Sequence, residues 1–391
     1  MEMISKMRLV LEVIFSNSVC DASRHTLKVM NRSPRRGTLA SIAAELGVSR
    51  TTVSNAYNRP DQLSPELRDK IFATAMRIGY PGPDPTARSL RTRRAGAVGV
   101  VLTEELTYAF EDQASVDFMA GVSESCGDMG VSMLLIPAGR DTATHTPTHL
   151  INQASVDGFI VYSVASDDPF LTAVSSRGLP TVICDQPATE KGLPFVGIDD
   201  REAIKPVVRQ LVDAGHRRVG ILCIRLDRTP NNGPVAPSRL NRAHMHVQRS
   251  RVLGALDVLE GAGIPRDEVP VVERHVNDPD NTYSAAEELL TTHPDLTAVV
   301  CTTDSMAVGV HTYAHDRGLQ LPRDLSVTGF DGIPRALHHG ITTVTQPSRE
   351  KGSRSGAVLA ALIAGENPRT PERIILDTHV VTGRTVGPPA R

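Results

Sequence analysis

The chain has 391 residues and a mass of 42.1 kDa, with 40% hydrophobic and 22% charged residues and a formal net charge of −2. That length exceeds one compact core and predicts a small module beside a larger, two-lobed body. No run approaches the roughly 18 apolar residues needed to cross a bilayer, which excludes a membrane-spanning protein; the apolar stretch Met7–Phe15 is interrupted by Glu12 and followed by no small-residue cleavage site, so a cytoplasmic protein is expected.

Charge is unevenly spread. Residues 31–94 carry 12 Lys+Arg against 5 Asp+Glu, and the remainder carries 30 against 39. One basic part that touches a polyanion and one acidic part that does not is the simplest reading. The five cysteines, Cys20, Cys126, Cys184, Cys223 and Cys301, lack ligand spacing and read as small buried apolar residues in a reducing compartment.

Residues 1–36 show no periodicity and read as an extension, either disordered or preceding a true start at Met30. From Leu39 the spacing Leu39, Ile42, Ala43, Leu46 predicts a helix that Gly47 ends, with Ala43 and Ala44 where helices cross. Ser49 is a good N-cap for a second helix, Arg50 to about Tyr57, with Val53 and Ala56 or Tyr57 inward and Arg50, Thr51, Ser54 and Asn55 outward. Ser64 and Pro65 open a third, with Leu67, Ile71, Phe72, Ala75 and Ile78 inward, ending at Gly79. Residues 37–80 thus form a three-helix unit of helix-turn-helix type, followed by a basic linker over 81–96 in which Thr86–Thr92 has the length of two helical turns.

From residue 97 to 391 short apolar runs alternate with amphipathic segments. The strands expected are Ala97–Leu102, Val131–Ile136, Gly158–Val161, Thr181–Cys184 and Phe195–Ile198, then Arg218–Cys223, Val271–Arg274, Ala298–Cys301 and Leu325–Gly329. Thr342–Val344 and Arg373–Leu376 are expected to cross back between lobes. Two such series imply an α/β body of two Rossmann-like lobes, with a ligand cleft at the carboxyl ends of the strands.

The order of parts resembles the LacI/GalR transcription regulators over about residues 37–385. The motifs that carry it are LASIAAELGVSRTTVSNAYN, SPELRDKIFATAMRIGY, PDPTARSL, VDGFIV, DAGHRRVGIL, TTDSMAVGV, LPRDLSVTGFDGIP and TTVTQP. The resemblance implies a body of periplasmic-binding-protein type and a sequence-specific, DNA-binding repressor, working as a homodimer on a pseudo-palindromic double-stranded operator. Its operator affinity would be modulated by a small-molecule effector such as a sugar or nucleoside, with no cofactor or metal. It places Arg50, Thr51 and Asn55 on base-reading positions, Ser49, Thr52, Asn58 and Arg88 on the DNA backbone, and Ala87 and Leu90 at a minor-groove wedge. In the cleft it points to Arg251, Thr303, Asp304 and Asp331, with Arg and Asp on opposite walls suited to a polyhydroxylated or charged ligand. Asn277 stands where several relatives place a stacking aromatic, a part that Tyr108 and Phe110 could take.

An enzyme would need a nucleophile, base or metal set, and none is evident. His244 and His246 lie in the loop 225–246, which reads as flexible and solvated, and His338 and His339 are adjacent, but neither pair has a third ligand at usual spacing. A stand-alone small-molecule binding protein of periplasmic type would share the body but not the basic helix-turn-helix. The proline-containing tail 366–391 has no leucine heptads, which favours a dimer without a coiled-coil tetramerisation segment.

Overall fold

The computed structural model describes residues 37–84, 89, 92–102, 106–137, 148–188, 192–366 and 370–389. The chain separates into two compact units divided between Arg88 and Ser89. Expectations for residues 1–36, including Cys20, and for Ala87, Arg88 and Leu90 lie outside the described residues.

Among its described residues the first unit has three α-helices, α1 (Leu39–Leu46), α2 (Arg50–Asn58) and α3 (Pro65–Arg77). Each begins on a hydroxyl cap. Thr38 and Ser41 form a reciprocal capping box at α1, Ser49 Oγ accepts from the Thr52 amide, and Ser64 Oγ accepts from the Leu67 amide. Gly47 adopts φ 66°, the left-handed turn that lets α2 leave α1 at once. Ile42, Val53, Ala56, Ile71 and Ala75 make the core, joined by Ala43. Ala44, expected beside Ala43 at the crossing, is exposed, because neighbouring residues on a helix cannot share a face. Phe72 is 37% exposed and meets the core through an edge contact with Tyr57 at 5.1 Å.

The second unit contains two parallel-dominated sheets. The first lobe orders its strands β12-β5-β4-β3-β1-β2, all parallel, where β1 is Ala97–Leu102, β2 Ser132–Pro137, β3 Gly158–Tyr162, β4 Thr181–Cys184, β5 Phe195–Gly197 and β12 Arg373–Ile375. The second lobe orders β13-β11-β10-β9-β6-β8-β7, where β6 is Val219–Ile224, β7 Gly233–Pro234, β8 Val271–Arg274, β9 Ala298–Cys301, β10 Ser326–Asp331, β11 Thr342–Thr345 and β13 His379–Val381. Among the described residues only the edge strands β7 and β13 run antiparallel. Cys126, Cys184, Cys223 and Cys301 are free and buried, as the spacing predicts.

Three chain crossings join the lobes: β5 to the helix Asp200–Asp213, β11 to the helix Ser348–Ala364, and β12 to β13. The helix Ser348–Ala364 follows second-lobe strands in sequence yet packs on the first-lobe helix Gln113–Met129. Small residues make that possible, since a Cβ at Gly352 would strike the Phe118 carbonyl and one at Gly121 the Arg349 carbonyl. No strand alternation announces this helix, and sequence reasoning passed over it.

Candidate functional site

In the first unit, Arg50 and Thr51 stand exposed on the first turn of α2. Asn55, one turn later, is half-buried, and its amide donates to Gln62 Oε1 at 3.2 Å. The Ser49 and Thr52 hydroxyls lie 2.8 Å apart at the helix start, while Asn58 Nδ2 donates to the Ser54 carbonyl at 2.9 Å. Short donors and acceptors therefore cover one side of a helix whose other side, Val53 and Ala56, is fully committed to the core.

In the second unit a cavity of about 110 Å³ lies where the carboxyl ends of both sheets face each other, and a second hollow of about 850 Å³ shares Tyr108, Asp112 and Asn277 with it. Leu102 ends β1, Tyr162 ends β3 and Ser163 follows it, Asp185 and Gln186 follow β4, and Ile224 and Arg225 come off the end of β6. Asn277, Thr303, Asp331 and Gln346 come from the corresponding ends of β8, β9, β10 and β11. In the first lobe β1 is flanked by β2 and β3, and in the second β6 is flanked by the next two parallel strands, β8 and β9, the order at which a doubly wound sheet opens a crevice.

Arg251 dominates the second-lobe wall. Its Nε donates to Asp200 at 2.9 Å, its Nη1 donates to the Thr302 carbonyl at 2.8 Å and to Asp331 at 3.1 Å, and its plane lies 3.7 Å from the Phe330 ring centroid. Lys351 is equally buried; its Nζ donates to both Asp185 oxygens at 2.7 and 2.8 Å and to Gln346 Oε1 at 2.6 Å. Gln346 Nε2 donates onward to Asp331 at 2.7 Å. The result is a continuous chain, Asp185–Lys351–Gln346–Asp331–Arg251–Asp200, that runs through two of the three crossings between lobes. Burial pushes the Asp331 carboxyl up to about 7 against the opposing pull of Arg251. Burial also raises Asp200, again opposed by Arg251, and brings the Arg225 guanidinium down to about 10.

Backbone strain gathers at the same place. Ser163, Asp185, Arg225 and Asp331, with φ of 57°, 65°, 23° and 120°, are four of the five non-glycine residues at positive φ among those described, and all four line the cavity. Such conformations cost of order 1–3 kcal/mol each and persist where surrounding structure over-determines them, which is characteristic of ligand sites.

A family model described as periplasmic binding proteins and sugar binding domain of LacI family matches residues 95–375. The HTH-type transcriptional regulator IpsA of Corynebacterium glutamicum is 53% identical over 361 residues, 92% of this chain and all of that one. The chain belongs to the LacI family of transcriptional regulators. A crystal structure of a LacI family regulator from C. glutamicum is 49% identical, covers 90% of this chain and 99% of that one, and superposes with a TM-score of 0.71. The fold is shared with the operator-bound lac repressor dimer at a TM-score of 0.72 and 22% identity, over 90% of this chain and all of that one. This regulator is thus a DNA-binding transcription factor with an effector-binding body.

Five of the seven cleft residues singled out from the sequence line the cavity of this regulator: Tyr108, Arg251, Asn277, Thr303 and Asp331. Two do not. Phe110 is 60% exposed, because it sits two residues from Tyr108 on the helix Leu106–Glu111 and so on another face. Asp304 is fully buried beneath the wall, accepting from the Ile333 amide at 2.8 Å and the Thr343 hydroxyl at 2.6 Å, with burial lifting its carboxyl to about 6. Arg and Asp do not occupy opposite walls either, since Arg251 and Asp331 are one ion pair. Sequence reasoning missed Asp112, Asp185, Arg225, Gln248 and Gln346, which lie at strand ends or helix starts with no periodicity to mark them; Gln346 did fall inside the TTVTQP motif. Among the described residues no helix is long and apolar enough to cross a membrane, and no group of three or more His, Cys, Asp or Glu side chains is placed to hold a metal ion.

Proposed function

We propose that this cytoplasmic, non-enzymatic repressor binds a neutral, multiply hydroxylated small molecule in the cavity and thereby changes its affinity for a pseudo-palindromic operator. The observation that carries the effector class is charge compensation. Arg251 already has Asp200 and Asp331, Lys351 has Asp185, and Arg225 spends Nε and Nη2 on the His275 carbonyl at 3.1 and 3.0 Å. An anionic ligand would have to displace a buried partner of one of these cations, whereas hydroxyl groups can both donate to and accept from this lining. Tyr108, Arg251, Asn277, Thr303 and Asp331 are the contacts we assign to the effector. An uncharged polyol should raise the melting temperature while an anionic analogue of similar size does not; the reverse ranking would overturn the class.

For DNA, we assign base reading to Arg50, Thr51 and Asn55, phosphate contacts to Ser49, Thr52, Asn58 and Arg88, and a minor-groove wedge to Ala87 and Leu90. Residues 37–80 serve as reader, 81–96 as hinge and 97–391 as effector and dimerisation domain. Two exposed residues on the first turn of a helix whose opposite face is core favour major-groove docking by the second helix of the motif. Regulators of this family act as dimers, so two reading helices meet two half-sites. Effector and operator must then alter each other's affinity by the same factor. A fluorescence titration with duplexes carrying symmetric half-sites tests the reading, and binding no tighter than to random duplex would defeat it.

A further inference from the structure

The segment Arg225–Met245 leaves β6 and returns to the helix His246–Gly261. It is anchored in the second lobe on Glu273, a fully buried carboxylate of β8. Arg239 grips Glu273 through Nε at 2.6 Å and Nη2 at 2.8 Å, Asn231 Nδ2 donates to it at 3.1 Å, and the Leu226 amide donates at 2.8 Å. The loop expected to be flexible and solvated is therefore pinned, and contains β7 and the short helix Pro237–Arg242.

From that anchor it reaches across to the first lobe, at the carboxyl ends of β3 and β4. Arg228 Nε lies 3.6 Å from the Asp168 carboxylate, and its Nη1 donates to the Asp167 carbonyl at 3.4 Å. His244 Nδ1 is 2.9 Å from Asp227 and 3.8 Å from Asp167, and its carbonyl accepts from the Ser166 amide at 3.3 Å. The next residues extend the seam: Gln186 Nε2 lies 3.6 Å from Met245 Sδ, the Ala188 amide donates to His246 Nδ1 at 3.3 Å, and the Val247 amide donates to Gln186 Oε1 at 2.9 Å. Gln186, Met245 and Val247 also line the cavity, so the seam is one of its walls.

We propose that this segment is an interlobe clasp, in which Arg228 and His244 act as positioning residues that hold the two lobes closed over the effector cavity. Neither touches the cavity. Their part is to hold Gln186 against Met245 and Val247, and so to complete a wall built from both lobes. Arg228 brings a charged contact to the seam through its carboxylate partner, and His244 stands between Asp227 of its own segment and Asp167 of the first lobe. The clasp rests on the effector reading only for its purpose. Its mechanical claim, that it closes the lobes, stands on contacts already formed.

The test uses the full chain without effector, so its failure and the failure of the effector reading are separate results. Hydrogen exchange followed by mass spectrometry reads the Ser166 and Ala188 amides beside the clasp, and the peptide Tyr108–Gln113 elsewhere on the cleft face of the same lobe, where it lines a pocket with Asn277 and Asp278 of the second lobe. In Arg228→Ala/His244→Ala, exchange should rise at least tenfold at Ser166 and Ala188 and severalfold in Tyr108–Gln113, because opening of the lobes uncovers the whole cleft face of the first lobe and not the clasp alone. Arg242→Ala, an exposed change in the same segment, should leave all three within twofold of the parent. Faster exchange at Ser166 and Ala188 alone would show a loop that detaches without freeing the lobes, and unchanged rates would show no clasp; either overturns the proposal. Both altered side chains are more than 40% exposed, and Arg228→Glu, which sets like charges against Asp168, provides an independent variant expected to match or exceed the double change.

Discussion

The two functional regions of this regulator are built on opposite plans. The helix α2, to which we assign DNA reading, presents Arg50 and Thr51 to solvent within nine consecutive residues, with an apolar core behind them. The effector cavity gathers side chains from Leu102 to Gln346, buries its charges, and keeps them by pairing. An exposed reader can lose one side chain and still fold, because solvent takes over the partner's role. A buried network cannot, since removal of one member leaves another charge stranded in a low-dielectric interior.

The largest effect should come from Lys351→Met, which strands the Asp185 carboxylate. Breaking a buried pair in this way costs about 3–5 kcal/mol, measured by guanidinium unfolding of the full chain, and adding Asp185→Asn should recover much of the loss. A cost below about 1 kcal/mol would place the pair in contact with water and dissolve the contrast between the regions. Next comes pH. Asp331, held at about 7, and Asp304, at about 6, keep their protons more tightly when folded than unfolded, where a carboxyl titrates near 3.9. Their contribution is therefore fully present below about pH 4 and is lost as pH rises towards 7, the reverse of an ordinary salt-bridged carboxylate. The difference in unfolding free energy between the parent and Asp331→Asn should accordingly change across that window; a flat difference would mean that Arg251 fully compensates Asp331.

This contrast also decides what could be read in advance. The first unit was legible because its signals are local: hydroxyl caps, Gly47 at the turn, and a three-to-four residue apolar spacing all act within about ten positions. Strand positions in the body followed from apolar runs bounded by turns, and the nine strands expected fell within two residues of where they were placed. The cavity resisted for a physical reason. Asp185 and Lys351 stand 166 positions apart, and only the return of the helix Ser348–Ala364 to the first lobe brings them together. Asp304 looked like a ligand beside Thr303, yet first-turn polarity on a buried helix serves capping and wall support equally well. Whether such a carboxylate faces in or down depends on Thr343, which the local sequence cannot place.

At the reader, Arg50→Ala should cost about 1–3 kcal/mol on the cognate duplex and far less on random duplex, with no change in unfolding midpoint. Equal losses on both would reduce Arg50 to a phosphate contact.

Ser49 sharpens the comparison at the smallest scale, because one hydroxyl is given two tasks. Its Oγ accepts from the Thr52 amide at 2.9 Å, so Ser49→Ala should destabilise the unit by about 1 kcal/mol and weaken DNA binding as well. That result alone would not separate the tasks. Ser49→Asp does, because an aspartate caps at least as well and suits the positive end of the helix, yet sets a negative charge where a phosphate is expected. Stability should hold or rise while affinity falls, and the salt dependence of binding should change with the added charge. If Ser49→Asp instead binds duplex as the parent does, the phosphate contact is absent and Ser49 serves the fold alone.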